Sequence, residues 1–203
     1  MRRIGESPFM KRSKEESYET ISKLKEVARK HFTEHGYSDT VLDEIVKEAN
    51  LTRGAVYHHF GSKKGLFLAV LESIQREVAK KVESEAAQSE DLWDQLIFGC
   101  RAFVTAAVEE KNKRIMLIDG PAVLGWETWR SMDEKGSMLL LHEQLQLMQK
   151  KGYFESLSID ALTHILSGAL NESALWIAQT PNIKESVEET LKVLSLLLDR
   201  FKS

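Results

Sequence analysis

A short polar stretch in the first third of the chain carries side chains whose chemistry suits contact with a nucleic acid. Arg53 can donate two parallel hydrogen bonds to O6 and N7 of a guanine, a contact that discriminates between bases by roughly 1–3 kcal/mol. Tyr57 and His58 lie about one helical turn further on, where they can donate to phosphate oxygens. Gly54 has no side chain to obstruct a close approach of the backbone. Lys63 begins the next helix and adds its charge to a helix N-terminus, which binds anions.

Two short helices must position these side chains. Thr40 precedes an apolar run and opens the first helix, which ends at Asn50. Thr52 caps the second helix, which runs from Arg53 to about His59. A helix, a tight turn and a second short helix within about twenty residues are typical of a helix–turn–helix, whose second helix enters the major groove of DNA.

The rest of the chain has apolar residues at helical spacing, and no segment alternates as a strand would. Glycine and proline are few, at 11 and 3 residues, which favours long helices. We therefore predict an all-α fold, with a flexible basic arm at residues 1–12, a helix–turn–helix domain at 13–61 and a helical domain at 62–203 that begins with a connecting helix at 62–86. An alternative start at Met10 would make residues 1–9 a leader.

Caps and helix breakers give the expected helix boundaries. The helix before the motif runs from about residue 13 and ends at Gly36, which is free to adopt a positive φ. Ser62 caps the long helix that follows the motif. Further along, the sequence Asp119-Gly120-Pro121 predicts a break, with Pro121 in the first turn of the next helix. A later helix is expected from about Asp133 to Lys151.

Composition limits the classes of protein that the chain can belong to. Its 203 residues, 42% of them hydrophobic, are enough for a folded core, and its single cysteine excludes an internal disulfide framework. No apolar stretch suits a signal peptide or a membrane span, so we expect a soluble, cytoplasmic protein. The net charge is −3, yet residues 1–64 carry 13 basic and 10 acidic side chains. A mildly basic first part thus precedes an acidic body, as in a protein with one DNA-facing part.

Three motifs carry a resemblance to a known family: FTEHGY at 32–37, DEIV at 43–46 and TRGAVYHHFGSKKGLF at 52–67. Over about residues 14–72, without a gap, the chain resembles the N-terminal domain of TetR-family transcriptional regulators. The resemblance implies DNA contacts by Thr52, Arg53, Gly54, Tyr57, His58 and Lys63. It also implies that Thr40 caps the bracing helix near a phosphate.

The chain departs from the family pattern at two positions of the motif. Asn50 replaces the usual glycine of the turn, a substitution that asparagine tolerates because it accepts a positive φ. Asp43 stands where a basic or neutral residue is common, and we expect it to weaken a contact with the DNA backbone.

Beyond the motif the resemblance is looser and implies a helical domain that binds a small effector and dimerises through its last two helices. The segment RIMLIDGPAVLGW at 114–126 is similar to one subgroup of such regulators. An apolar pocket with a few polar groups would draw on Phe103, Met116, Trp126, Trp129, His142, Asn171 and Trp176. The alternative is that these side chains fill the core, face solvent or face a dimer partner.

The expected dimer interface comprises Ala169, Ser173, Val187, Leu191, Leu194 and Leu198. The last four, with Phe201, repeat at intervals of four and three residues, which is the spacing of a helix-packing seam. The alternative is that the seam packs only within the chain. One helix–turn–helix reads few base pairs, so we expect a homodimer on a palindromic operator whose half-sites lie about 34–36 Å apart.

We therefore predict a ligand-responsive transcriptional regulator, a repressor whose effector favours a dimer geometry that no longer fits the operator. The motifs of nucleotide-binding enzymes and hydrolases are absent from the sequence, so neither an enzyme nor a cofactor is expected. The histidine pairs 31/35 and 58/59 lack a recognised ligand pattern, so no metal is expected. Alternatives are an all-α small-molecule binding protein or enzyme without DNA binding, and a DNA-binding activator.

Overall fold

The computed structural model describes residues 8–199, with side chains from residue 15 onward. Residues 1–7 of the predicted arm and Phe201 of the predicted seam lie outside this range. Within it the chain forms α-helices and one π-helix and contains no β-strand, so the all-α prediction is confirmed. The chain divides into two compact units, with the boundary between Val70 and Leu71.

The helices are numbered in chain order. The first unit contains α1 (Pro8–Asp39), α2 (Leu42–Glu48), α3 (Arg53–Phe60) and the start of α4 (Lys63–Ala86). The second unit contains the rest of α4, α5 (Leu92–Ala107), α6 (Glu110–Lys113), the π-helix (Arg114–Asp119), α7 (Gly120–Leu124), α8 (Trp126–Glu134), α9 (Ser137–Lys150), α10 (Ile159–Ile177) and α11 (Ile183–Leu198). Between residues 8 and 199, no helix combines the length and apolarity needed to cross a membrane.

Helix α1 is longer than the sequence predicts. It begins at Pro8, so residues 8–12 of the predicted arm are helical. Proline is well tolerated in the first turn of a helix, because the N–H that it lacks would have no partner there. Gly36 has φ 78° and ψ 173°, which interrupts the helical path where the sequence predicts its end.

The core of the first unit is apolar and includes a cluster of aromatic rings. Phe32 and Phe67 are fully buried, and their ring centroids lie 5.1 Å apart in an edge-to-face arrangement. Tyr37 stacks beside Phe32 and meets the Phe67 ring edge-on. Edge-to-face pairs of this kind contribute about 0.5–1.5 kcal/mol beyond the burial of their area. This cluster joins α1 to α4 behind the short helices α2 and α3.

A tight connection between α3 and α4 follows from two residues. The hydroxyl of Ser62 accepts a hydrogen bond from the amide of Gly65 at 3.0 Å, which confirms the predicted cap. A Cβ atom at Gly65 would lie 1.9 Å from the carbonyl oxygen of Phe60, a distance that no side chain can occupy. Only glycine therefore allows the backbones of α3 and α4 to approach this closely.

In the second unit, α5 packs against α9, α10 and α11. Its side chains are largely buried, as are the inward faces of the three neighbouring helices. Asp91 caps α5 by accepting hydrogen bonds from the amides of Trp93 and Asp94. This arrangement surrounds α5 with helices and leaves a cavity along one side, described below.

Two predicted boundaries in the second unit are wrong. The backbone at Asp119 and Gly120 stays helical, so the π-helix runs directly into α7. Helix α7 ends before Gly125, which has φ 85°. Pro121 lies in the first turn of α7, where it breaks nothing. Asp133 lies near the end of α8 rather than at the start of α9, because Gly136 separates the two helices.

Candidate nucleic-acid interface and effector cavity

Helix α3 presents a polar face to solvent. Thr52 caps the helix by accepting a hydrogen bond from the amide of Ala55 at 3.3 Å, as predicted. Val56 is fully buried and anchors the helix, while Tyr57 is 53% exposed and His58 is exposed beside it. The predicted contact residues of α3 therefore share one accessible surface.

The turn between α2 and α3 has the hydrogen bonds of a Schellman motif. Asn50 has φ 57°, and its amide donates to the carbonyl oxygen of Lys47. The amide of Leu51 donates to the carbonyl oxygen of Val46 at 2.9 Å. In this motif the residue with positive φ is usually glycine and sometimes asparagine. The prediction that Asn50 serves in place of glycine is confirmed.

Arg53 is held by a carboxylate that the sequence analysis did not pair with it. Its Nη2 donates to Oδ2 of Asp43 at 2.6 Å, and its Nε donates to Oδ1 of the same carboxylate. The two side chains are 55% and 60% exposed, and the pair raises the pKa of Arg53. Asp43 uses the Nε and Nη2 edge of the guanidinium, and the Nη1 group takes no part in this pair.

Thr40 does not cap α2, and that prediction is wrong. Helix α2 begins at Leu42, and the residue before it makes no side-chain cap. The Thr40 side chain is buried, and its hydroxyl lies 2.6 Å from the carbonyl oxygen of Gly36 and 3.1 Å from that of His31. The Thr40 hydroxyl therefore bonds back to the interrupted end of α1, where the Gly36 carbonyl oxygen also accepts from the Thr40 amide at 3.3 Å.

Lys63 lies against the end of α1. Its Nζ is 3.4 Å from the carbonyl oxygen of Ser38 and 4.5 Å from the centroid of the Tyr37 ring. Partial burial lowers the pKa of Lys63, with the nearby Asp39 opposing that shift. The ammonium group is therefore held in place beside the N-terminus of α4.

Gly54 differs from Gly65 in what surrounds it. A Cβ atom at Gly54 would meet one neighbour, the Thr52 hydroxyl, at an ordinary contact distance of 3.5 Å. The fold therefore has room for a side chain at this position. Because glycine weakens a helix relative to alanine, its presence here is not explained by the packing of the chain itself.

A cavity of about 370 Å³ lies in the second unit, between the end of α4 and helices α5, α9 and α10. This volume falls within the usual range for small-molecule sites. Most of its lining is apolar, from Val82, Ala86, Ala87, Leu96, Gly99, Cys100, Phe103, Met138, Leu140, Leu141, Leu147 and Leu170. Burial raises the pKa of the Cys100 thiol to about 12.

Of the seven predicted ligand-binding residues, Phe103 lines this cavity and the other six are not part of its lining. Met116 and Trp129 are buried elsewhere, where the Trp129 indole N–H donates to the Met116 carbonyl oxygen at 2.9 Å. Trp126 and Trp176 are more than half exposed. These four therefore match the alternative reading, in which aromatic and Met side chains fill the core or face outward.

The two polar residues of that set have protein partners. His142 lies 2.9 Å from the carboxylate of Asp160 and lines a smaller depression, which shares Met138 with the cavity. Asn171 is buried and donates to Oδ2 of Asp133 at 3.2 Å and to the Ser167 carbonyl oxygen at 3.0 Å. Asn171 thus supports a group that does line the cavity, namely Asp133.

Asp133 is the functional candidate that sequence reasoning missed. It is 4% exposed, lines the cavity and accepts hydrogen bonds on Oδ2 from Arg130, Ser167 and Asn171. Burial raises the pKa of this carboxyl group, while the ion pair with Arg130, at 3.0 Å, opposes that rise. No periodicity in the sequence marks a buried acid at the end of a short helix.

The predicted dimer seam lies inside the chain. Val187, Leu191, Leu194 and Leu198 are each less than a tenth exposed in the single chain, as the alternative reading requires. Ala169 is exposed and Ser173 is half-buried. The neighbouring outward positions of α10 and α11 are apolar and exposed, at Ile165, Trp176, Val193, Leu196 and Leu197.

His31 and His35, one of the two histidine pairs, contact each other and a glutamate rather than a metal site. His31 lies 2.9 Å from a carboxylate oxygen of Glu48, and its ring is 5.9 Å from that of His35. Among the described side chains, no three His, Cys, Asp or Glu residues come together as a metal site would require.

A helix–turn–helix with an exposed polar recognition helix, followed by a helical unit that encloses an apolar cavity, defines the class of ligand-responsive transcriptional regulators. Comparison with known sequences narrows the class. Residues 24–70 match the family described as bacterial regulatory proteins, tetR family, and residues 93–201 match the tetracyclin repressor-like C-terminal domain. The chain belongs to the TetR family.

Individual relatives agree with this assignment. The chain is 37% identical over 113 residues to the HTH-type transcriptional regulator TtgR of Pseudomonas putida, which covers 53% of this chain and 52% of that protein. It is 47% identical over 57 residues to the probable acrEF/envCD operon repressor of Escherichia coli, over 28% and 26% of the two chains. The chain thus spans about half the length, or less, of these two relatives.

Among solved structures, a TetR-family transcriptional regulator from Pectobacterium atrosepticum is similar over nearly its whole length. The sequences are 35% identical, the TM-score is 0.77, and the match covers 92% of this chain and 95% of the other. The prediction of a DNA-binding regulator rather than an enzyme is confirmed by these relatives, which are regulators.

Proposed function

We propose that this protein is a transcriptional repressor that binds a palindromic operator as a homodimer and leaves it when a small effector occupies the cavity of the second unit. The observation that carries the proposal is the surface of α3. Its polar residues face solvent on a helix that the buried Val56 holds in place, and Gly54 lacks a side chain where the fold would accept one.

Each residue of that surface has a role in the proposed complex. The Nη1 group of Arg53, which Asp43 leaves available, donates to a guanine in the major groove. Tyr57 and His58 donate to phosphates, and Gly54 lets the helix enter deeply. Lys63, held beside the N-terminus of α4, adds positive charge toward the DNA backbone.

The proposed dimer uses the outward stripe of α10 and α11 rather than the predicted seam. Ile165 and Trp176 on α10 and Leu196 and Leu197 on α11 are each at least half exposed in the single chain. Large apolar side chains clustered on two helices indicate a protein–protein interface. A second copy, related by a two-fold axis, would cover the same stripe with its own α10 and α11.

Selection of bound sequences from a random duplex library tests the proposal without knowledge of the operator. We expect the full chain to enrich a palindrome at physiological salt. Tyr57→Phe should weaken binding to that palindrome about fivefold through loss of a phosphate contact. Tyr153→Phe, a matched change in the second unit, should leave binding unchanged. Failure to enrich any sequence over random duplex would refute the proposed repressor.

Light scattering tests the proposed dimer separately. Leu197→Glu should convert the protein to a monomer, because it places a charge at the centre of an apolar interface. Ile118→Glu changes an apolar residue of similar exposure outside α10 and α11 and should leave the dimer intact. A dimer that survives Leu197→Glu, or a wild-type monomer, would exclude this interface.

A further inference from the structure

We propose that the cavity of the second unit selects lipophilic cations as effectors and rejects lipophilic anions. The inference rests on the proposed function in one respect, since it names the chemical class of the effector that the repressor would respond to. Its three supports are the apolar walls, the sign of the charged lining residues and the Asp133 carboxylate in the cavity wall.

The walls of the cavity require a ligand with a large apolar surface. Aliphatic side chains from α4, α5, α9 and α10 make up most of the lining, and Phe103 adds an aromatic ring. Burial of apolar surface stabilises a complex by roughly 25 cal/mol per Å², so an effector gains affinity by filling these walls. The polar neutral side chains of the lining are few: Gln95, Ser137, Gln144 and Ser167.

The charged residues of the lining all have the same sign. Glu83, Asp133 and Glu143 line the cavity, and no described Lys, Arg or His side chain does so. Glu83 and Glu143 are exposed, which places them at the solvent side of the cavity. The ion pair with Arg130 partly offsets the charge of Asp133, but the two glutamates have no basic partner in the lining, so they repel an anionic ligand and attract a cationic one.

Asp133 supplies a buried acceptor in the same wall. Its three hydrogen-bond donors all reach Oδ2, and none of the hydrogen bonds described for Asp133 uses Oδ1. Because Asp133 lines the cavity, Oδ1 remains for a group that binds there. The side chain is 4% exposed, so little water screens its charge, and a positive group in the cavity would interact with it more favourably than a negative one.

Two probes of matched shape and opposite charge test the inference. Tetraphenylphosphonium and tetraphenylborate both carry four phenyl rings around a central atom, so the apolar walls treat them alike. We expect calorimetric titration of the full 203-residue chain to give tighter binding for the phosphonium than for the borate. Equal or tighter binding of the borate would overturn the inference.

Variants show whether the lining residues cause the preference. Glu83→Gln combined with Glu143→Gln should weaken phosphonium binding about tenfold and strengthen borate binding, because two exposed charges each contribute modestly. Asp133→Asn keeps the shape of the side chain and should reduce the preference further. Glu127→Gln removes an exposed charge from α8, outside the lining, and should change neither affinity. Unchanged affinities in the double variant would also overturn the inference.

The outcome is distinguishable from failure of the proposed function. Charge-selective binding of the probes without release of the selected palindrome would uphold the charge selectivity of the cavity and contradict the proposed response to an effector. Palindrome binding with no charge preference between the probes would uphold the repressor and contradict the inference.

Discussion

The two units of the chain each hold an arginine against an aspartate, but in opposite surroundings. In the first unit, Arg53 and Asp43 are both more than half exposed. In the second, the side chain of Arg130 is 16% exposed and that of Asp133 is 4% exposed. An exposed pair contributes little to stability and exchanges readily with other ions, whereas a buried pair is costly to break. The first arrangement suits a surface that must exchange partners, and the second suits a fixed wall.

The buried pair gives the largest expected effect. Arg130→Met should lower the free energy of unfolding by about 3 kcal/mol at neutral pH, because it leaves the Asp133 carboxylate buried without its cation. Arg101→Met, which breaks the exposed pair with Glu188, should cost at most about 1 kcal/mol. Urea unfolding of both variants measures the difference, and equal losses would show that burial does not separate the two kinds of pair.

The sign of the pH dependence sharpens this prediction. Because burial raises the pKa of Asp133 above its ordinary value of 3.8, the stability contributed by this group is fully present below that value. The contribution is lost as pH rises through the folded-state pKa. Removal of Arg130 raises that pKa further, so the destabilisation by Arg130→Met should be small near pH 4 and grow toward pH 7. A pH-independent loss would assign the effect to packing instead.

The next effect is expected at the connection of α3 and α4. Gly65→Ala places a methyl group against the Phe60 carbonyl oxygen and should destabilise the first unit by about 2 kcal/mol or more. Hydrogen exchange of the amides in α2 and α3 measures this loss of stability within the first unit. Protection equal to that of the wild type would contradict the close approach.

A matched substitution at Gly54 should separate stability from DNA binding. Gly54→Ala has room in the fold and should leave unfolding unchanged or raise its free energy by up to about 1 kcal/mol. The added methyl group should weaken operator binding about tenfold, equivalent to about 1.4 kcal/mol. Fluorescence anisotropy on the selected palindrome measures the affinity. Unimpaired binding would indicate that Gly54 does not approach the DNA.

The exposed pair gives the smallest expected effect on stability. Asp43→Asn should change the free energy of unfolding by less than about 0.5 kcal/mol. It should raise affinity for random duplex a few-fold, because a negative charge leaves the DNA-facing surface, and lower discrimination for the palindrome, because Arg53 is no longer oriented. Competition between the two DNAs measures the ratio, which would stay constant if Asp43 had no positioning role.

The sequence predicts local features well where neighbouring residues cause them. The bounds of α4, the Ser62 cap and the positive φ of Asn50 depend on chemistry within a few positions, and all three are confirmed. The prediction for Thr40 is wrong because its hydroxyl bonds back to α1, to the carbonyl oxygens of Gly36 and His31, rather than forward to α2. Local capping rules do not include that competing partner.

The second unit was less predictable because its features join distant parts of the chain. Leu191 and Leu194 have a spacing that fits a seam between copies as well as a seam within one chain, and only the packing of α11 on α5 decides between them. The cavity combines residues from about position 82 to position 170, and Asp133 enters it from a helix end. Periodicity assigns faces to helices but does not say which faces leave a space between them.

Cys100 has a consequence for the chemistry of sensing. The chain has one cysteine, and its thiol lies in the cavity wall with a pKa of about 12, so almost none of it is thiolate at neutral pH. Peroxides and electrophiles react with the thiolate rather than the thiol. We therefore expect a molecule that binds in this cavity to be held without a covalent bond to the chain.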